Sequence, residues 1–339
     1  MKFNSFNTNL PRHVRVSTGS ATVLGIQEGK LDSAPTTAYL MTYREGKCLA
    51  NCGFCPQARK SHGRADMLSR VSWPVYPTEV VLNGIEKTSK NKKIRRVCIQ
   101  ALNYPEVFLD LRALVKAIRS HAAVPVSISC QPLNRRNLRE LANVGVERIG
   151  IPLDAATKQI FDEVKGRSVG GPYSWDRQFE LLGDAIEFFG KGRVSTHLIA
   201  GLGETEKEMV DIIQRCVDMT VLPGLFAFTP IPGTALRNKS QPSIRSYRRI
   251  QIARHLVLNR LARYENMLFD GKGCLVDFGV PERILKEITQ TGEPFLTSGC
   301  PACNRPYYNE KPSGPIYNYP RKLMESELLE IQHEVFGTS

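Results

Sequence analysis

No uninterrupted apolar run in the 339 residues reaches the length of a bilayer-crossing helix, roughly 18–20 residues. A membrane-spanning chain is therefore not expected. Met1 to Pro11 is polar and lacks the charged-then-apolar order of an export signal, so the expected location is cytoplasmic. Low-complexity segments are absent, as is any internal repeat beyond an alternation of short elements. With 42% hydrophobic and 23% charged residues, the composition excludes a mostly disordered or fibrous chain and predicts a compact fold.

Acidic residues are the scarcer charge: 33 against 46 lysines and arginines leave a formal net charge of +13. Such a surplus favours a polyanionic partner, nucleic acid or an acidic protein, without choosing between them. The densest basic stretch, Lys87 to Arg96, has no aromatic residue between its charges. It reads as a solvated turn ahead of a strand, and nucleic acid is not the expected partner.

What is present is a regular order of elements. Residues 1–35 carry no strong period and read as an irregular or partly ordered N-terminal extension. Beyond them, six short β-branched or apolar runs read as strands: Thr37 to Thr42, Arg96 to Ala101, Val124 to Ser129, Val146 to Ile151, Arg193 to Ala200 and Leu225 to Thr229. Amphipathic stretches stand between them, at 78–87, 109–121, 133–142, 157–164, 175–189 and 206–219. Strict alternation implies right-handed βαβ units and a parallel sheet, hence an α/β fold. Periodicity alone leaves open whether these units form a doubly wound sheet or a partial barrel; both place their chemistry just after the strands. Residues 36–240 are taken as the core. The C-terminal region, 241–339, opens with a long basic helix over 241–264. It continues through a Gly- and Pro-rich aromatic stretch and closes with a helix near Lys322 to Phe336.

Nine cysteines in a reducing compartment point to metal ligation or catalysis, with buried apolar cysteine as the alternative. Cys48, Cys52 and Cys55 form a C-x3-C-x2-C loop directly after the first strand. Thiolates at this spacing can wrap one corner of a cubane, ligating three irons and leaving the fourth open to a substrate. A zinc site would want four ligands, with His62 the nearest candidate to complete the set. Zinc loops usually pair two C-x2-C knuckles, and this loop does not, so a [4Fe–4S] cluster is the expected occupant.

With Phe54 as its aromatic position, this loop resembles that of the radical S-adenosylmethionine (SAM) superfamily, and the resemblance runs over roughly residues 36–235. It implies a partial (β/α)6 TIM-type barrel with terminal extensions, and a cluster whose open iron chelates SAM and cleaves it to a 5′-deoxyadenosyl radical. Other segments are similar to the biotin synthase and lipoyl synthase branch. Gln100 and Asn103, after the second strand, match its methionine-binding turn. Asp154 matches the acid that binds the ribose hydroxyls, Arg177 the base that pairs with the SAM carboxylate, and His197 to Glu204 the adenine-side segment. In that segment Gly201 and Glu204 keep the pattern, and His197 stands where the family has glycine.

A second group, Cys274, Cys300 and Cys303, lies in the Gly- and Pro-rich tail. Three thiols there are hard to explain as core packing, and an auxiliary Fe–S cluster is expected, with structural zinc or unpaired cysteines as alternatives. Ser298 is a candidate fourth ligand by analogy with sulfur-inserting lipoyl synthases. Cys98 and Cys130 end two strands where biotin synthases carry ligands of a sacrificial cluster. The third equivalent position is Ser195, which argues against that cluster and leaves both cysteines as core or pocket residues. Cys216 reads as core. The chain lacks the N-terminal C-x4-C-x5-C motif of ordinary lipoyl synthases, and its tail, SGCPACNRPYYNEKPSGPIYNYP, resembles the archaeal-type two-protein lipoyl synthases.

That resemblance implies a sulfurtransferase of lipoate biosynthesis. It would thiolate C6 or C8 of an octanoyl chain carried on a lipoyl-carrier protein, with the auxiliary [4Fe–4S] cluster as sulfur donor. The implied partners are the carrier, a companion radical SAM subunit and an electron donor such as ferredoxin; an acidic carrier would suit the basic surface. The alternatives are another radical SAM reaction, such as biotin-like sulfur insertion or methylation, and a basic zinc-dependent nucleic-acid-binding protein. The six βα units disfavour the last.

Overall fold

The computed structural model describes residues 10–130 and 133–336. The start of the N-terminal extension, residues 1–9, lies outside them.

One eight-stranded sheet organises the chain. Its strands are β1 (His13–Val16), β2 (Thr37–Thr42), β3 (Val75–Pro77), β4 (Arg96–Gln100), β5 (Val126–Ser129), β6 (Arg148–Gly150), β7 (Val194–Ala200) and β8 (Leu222–Ala227). They lie in the order β8-β7-β6-β5-β4-β2-β1-β3. From β2 to β8 every neighbouring pair is parallel, whereas β1 runs antiparallel to both β2 and β3. The six parallel strands follow one another in chain order without reversal. A doubly wound sheet must reverse its order midway, so this is barrel winding that stops short of closure.

The helices α1 (Thr18–Leu24), α2 (Thr78–Lys90), α3 (Val107–His121), α4 (Arg135–Asn143), α5 (Lys158–Val164), α6 (Trp175–Phe189), α7 (Glu206–Asp218), α8 (Ile244–Leu258), α9 (Glu282–Thr291) and α10 (Glu325–Phe336) complete the framework. Their starts follow local chemistry. Ser174 and Thr205 accept backbone N–H bonds at the beginnings of α6 and α7, and Glu208 returns the bond in a capping box.

The N-terminal extension is partly ordered, with β1 and α1 inside it; elements of four and seven residues are too short to show a period. Two expectations are corrected. The last barrel strand begins at Leu222 rather than Leu225 and contains Pro223 and Gly224. Both residues normally punctuate, but β8 is an edge strand and does not need the amide that proline lacks. The basic helix expected over 241–264 is shortened to Ile244–Leu258; Arg260, at φ +58°, turns the chain out of helical geometry.

The C-terminal region does not stand apart. Its apolar residues, up to Val335, belong to the same continuous core as Val14. Residues 296–319 form a strap across the barrel's open side. At one end Ser298 Oγ accepts the Leu225 N–H at 2.7 Å and donates to the Leu225 carbonyl at 3.3 Å, covering backbone groups of the β8 edge. At the other end Asn304 accepts the Thr36 N–H at 3.0 Å and donates to Ala34 O at 2.9 Å, beside the start of β2. Arg248, 1% exposed, anchors the strap's return: it donates to Ile316 O (2.7 Å) and Tyr317 O (2.8 Å) and pairs with Glu334 (3.0 Å).

Removing one partner of such a buried pair leaves the other charge and two carbonyls unsatisfied. Arg248→Ala is expected to cost about 3–5 kcal/mol, read as a lower urea midpoint at unchanged slope.

Candidate functional site

A cavity of about 490 Å³ runs along the inside of the barrel. The period-2 pleat decides which side chains reach it. In β7 the residues alternate between buried and partly exposed, and Ser195, His197 and Ile199 are the cavity-facing set. In β4, Cys98 and Gln100 face inward, while Val97 and Ile99 are fully buried in the core.

Cys48, Cys52, Phe54 and Cys55 line this cavity. Their loop is held by polar stitches. Lys47 Nζ donates to the carbonyls of Pro56 (2.9 Å), Ser61 (2.7 Å) and Gly63 (2.6 Å), and Gln57 Nε2 donates to those of Ala65 and Met67, both at 2.6 Å. The Gly53 amide donates to Val164 O at 2.7 Å. Burial pushes the Cys52 thiol up to about 12 and moves Cys55 in the same direction. Ionising such thiols needs compensation, which bound iron supplies. Cys48 Sγ accepts the Asn103 amide at 3.1 Å. His62 is exposed and lies outside the cavity lining, so it does not join the cysteines. Among the described residues no three His, Cys, Asp or Glu side chains converge tightly enough to grip one ion. A cubane instead takes each thiolate at a separate corner, so the soft donor set fits a cluster.

Asp154 follows β6 in the left-handed region at φ +66°, which aspartate tolerates better than most residues. Its amide donates to His197 O (2.7 Å) and its carbonyl accepts from the Ile199 amide (2.9 Å), which fixes it against β7 and at the cavity wall. The partner that sequence reasoning missed is Lys165. Its side chain, 0% exposed, reaches Asp154 Oδ2 at 2.6 Å and Pro152 O at 2.9 Å, beneath the ring of Tyr173. A lysine just past the end of a short helix gives no sign in sequence that it is buried.

The other expected SAM contacts divide. Gln100 and His197 line the cavity, and Asn103 donates from its side chain to Tyr173 Oη at 3.2 Å. Arg177 is a correction: it is 52% exposed, pairs with Glu180 at 2.7 Å and is absent from the cavity wall. The reason is helix phase, since Trp175, Gln178, Leu181 and Leu182 take the buried face of α6. Gly201 and Glu204 also stand outside the cavity lining. Glu204 accepts the amides of Gly201 (2.6 Å) and Leu202 (3.0 Å), closing the turn into α7. At Gly201, φ +102°, a Cβ would lie 2.7 Å from Pro242 Cδ, so the glycine is required sterically.

The second cysteine group is regrouped. Cys300 and Cys303, on the strap, line the same cavity as the first loop, but Cys274 does not. Cys274 sits in a surface hairpin whose amide bonds to Asp270. The third thiol beside Cys300 and Cys303 is Cys98. Its neighbours across the sheet are Tyr39 and Ser127, and these touch Cys303 Sγ (3.2 Å) and Cys300 Sγ (3.6 Å) respectively. Burial and the nearby sulfurs of Cys300 and Cys303 hold the Cys98 thiol well above its ordinary value. Ser298 is excluded as a free ligand, because its hydroxyl is committed to Leu225. Cys130 is buried at the cavity wall, and Cys216 is core as expected.

Residues 46–216, half of the chain, match the Radical SAM superfamily. The chain belongs to this superfamily. It is thus a radical SAM enzyme, and its family carries a [4Fe–4S] cluster and SAM. It is similar to the biotin synthase of Persephonella marina, 23% identical over 207 residues that cover 60% of this chain and 57% of that protein. The biotin synthase of Corynebacterium glutamicum is 24% identical over 242 residues, covering 69% and 68%. These relatives place the enzyme near a sulfur-inserting branch, although the chain spans little more than half the length of the P. marina protein. In fold it resembles the FeFe-hydrogenase maturase HydG from Carboxydothermus hydrogenoformans (TM-score 0.51, 15% identity, 66% of this chain and 51% of that one). No helix among the described residues is long and apolar enough to cross a membrane.

Apolar surroundings lower His197 from 6.5 to about 4. Between those values the unfolded chain binds a proton that the folded enzyme refuses, so stability falls as pH drops from 6.5 towards 4. Thermal melts across this window are expected to show a shallower pH dependence for His197→Asn than for the wild type.

Proposed function

We propose that the enzyme inserts sulfur into an unactivated carbon of a protein-bound octanoyl chain, as one component of a two-protein lipoyl synthase. The observation that carries the reading is a single cavity lined at once by Cys48, Cys52 and Cys55 and by Cys98, Cys300 and Cys303. When bound, a cluster with SAM supplies the radical and an auxiliary cluster supplies sulfur. Cys48, Cys52 and Cys55 would hold the first, and Cys98, Cys300 and Cys303 the second. Asp154, fixed by Lys165, offers a carboxylate to a sugar diol. The cavity wall carries apolar side chains, Met41, Ile199 and Phe226 among them. That suits an acyl chain and excludes water from a reactive carbon.

The acyl carrier, a companion subunit and a ferredoxin-type donor are proposed as partners, and the +13 surface suits an acidic carrier. Biotin-type insertion is the second reading, favoured by the biotin synthase relatives.

Mass spectrometry of octanoylated carrier peptide, incubated with enzyme, SAM, reductant and candidate companion, tests the proposal. Cys52→Ala is expected to abolish SAM cleavage. Cys300→Ala and Cys98→Ala should still form 5′-deoxyadenosine but transfer no sulfur, and Cys274→Ala should do both. Thiolated peptide from Cys300→Ala would refute the sulfur source, and thiolation of a dethiobiotin-type acceptor in place of the peptide would favour the second reading.

A further inference from the structure

The three sulfurs of Cys98, Cys300 and Cys303 share a feature that their spacing does not require: each faces one polar side chain with a hydrogen to give. Gln100 Nε2 donates to Cys98 Sγ at 3.2 Å. Tyr39 Oη lies 3.2 Å from Cys303 Sγ and Ser127 Oγ lies 3.6 Å from Cys300 Sγ, both ordinary contacts for an atom as large as sulfur.

For the two hydroxyls, either atom could donate while the sulfur is a thiol; as a thiolate ligand the sulfur has no hydrogen, so the hydroxyl is the donor. Tyr39 Oη accepts the Arg305 backbone N–H at 3.0 Å, which leaves its own hydrogen for the sulfur. Ser127 Oγ accepts from Arg96 Nη1 at 2.8 Å, again leaving its hydrogen for Cys300. Arg96 is 5% exposed and is held by Glu147 at 2.6 Å, so the serine is oriented from behind. Tyr39 is 7% exposed and Ser127 is 3% exposed, so water cannot take over the donor role at either.

Tyr39, Cys98 and Ser127 are direct register partners on β2, β4 and β5, so the donors form one row across the sheet floor with Cys98 at its centre. The strap sets its two cysteines on top of that row. Arg305 adds a fixed cation beside it, stacked 4.0 Å from the Phe226 ring.

We propose that Tyr39, Ser127 and Gln100 are positioning residues that hydrogen-bond the ligand sulfurs of the auxiliary cluster and set its reduction potential. Donation to a thiolate withdraws charge from sulfur and stabilises the reduced, more negative cluster, so each donor raises the midpoint potential. The sulfur-giving centre is then easier to reduce than it would be without these donors. That matters for sulfur insertion, because bond formation between a carbon radical and a cluster sulfide leaves one electron on the iron, and donors that favour the reduced state favour that bond. The inference rests on the auxiliary-cluster reading above.

The test is an EPR-monitored redox titration of the iron-loaded full-length enzyme, with the auxiliary signal identified as the one lost in Cys300→Ala. Tyr39→Phe keeps the ring and removes the donor; Ser127→Ala does the same for the serine from a different strand. Each is expected to lower the auxiliary midpoint, and the double variant to lower it further, while the midpoint of the Cys48/Cys52/Cys55 cluster stays where it was. Unchanged auxiliary midpoints in both variants, at wild-type iron content, would overturn the inference. If one variant fails to load iron, the other decides. A wild-type enzyme holding only the iron of one cubane would instead overturn the auxiliary-cluster reading itself, a result separable by iron analysis from an unmoved potential.

Discussion

A sheet wound like a barrel but stopped after six parallel strands leaves backbone amides and carbonyls of β8 facing nothing. Unpaired buried backbone groups cost about 1–3 kcal/mol each, and the chain meets this cost with its own C-terminal strap. Ser298 satisfies both groups of Leu225, Asn304 satisfies Thr36, and Arg248 holds the strap's far limb. Closing the barrel in this way carries Cys300 and Cys303 into the cavity as a direct consequence. Structural closure and delivery of the second thiol set are the same event.

The interior chemistry follows from burial. Thiols away from water resist ionisation, as the upward shifts at Cys52, Cys98 and Cys130 record. Unless a metal is present they behave as apolar side chains. The fixed charges inside are held in defined places: Lys165 is matched to Asp154 beside the first loop, Arg96 to Glu147 and Arg248 to Glu334, and Arg305 sits over the Phe226 ring near the second thiol set. The surplus positive charge of the sequence is therefore mostly a surface property, available for steering a partner.

The contrast between the two thiol sets is instructive. Cys48, Cys52 and Cys55 lie within one eight-residue loop, so a short peptide brings them together and spacing alone identifies them. Cys98, Cys300 and Cys303 come from a barrel strand and a strap some two hundred residues later in the chain. In sequence Cys274 groups with the latter, because it shares their part of the chain, yet a hairpin carries it away from the cavity. Arg177 fails for a related reason: its neighbours in sequence fit the family pattern, but the phase of α6 turns it outward to Glu180. Lys165 went unnoticed because nothing local marks a lysine as buried.

The sequence by itself determined the six parallel strands from Thr37 to Ala227, the helices between them, and the grouping of the first three thiols in one loop, because hydrophobic period and close cysteine spacing are local properties. Periodicity left open whether the winding is that of a barrel, which the family resemblance implied and the strand order shows; only the tertiary structure decided that the C-terminal strap closes it and that Cys98 rather than Cys274 meets Cys300 and Cys303. Those outcomes depend on strand order, on which backbone edge is left unpaired, and on which pleat face turns inward, and none of these is written into any short stretch of residues.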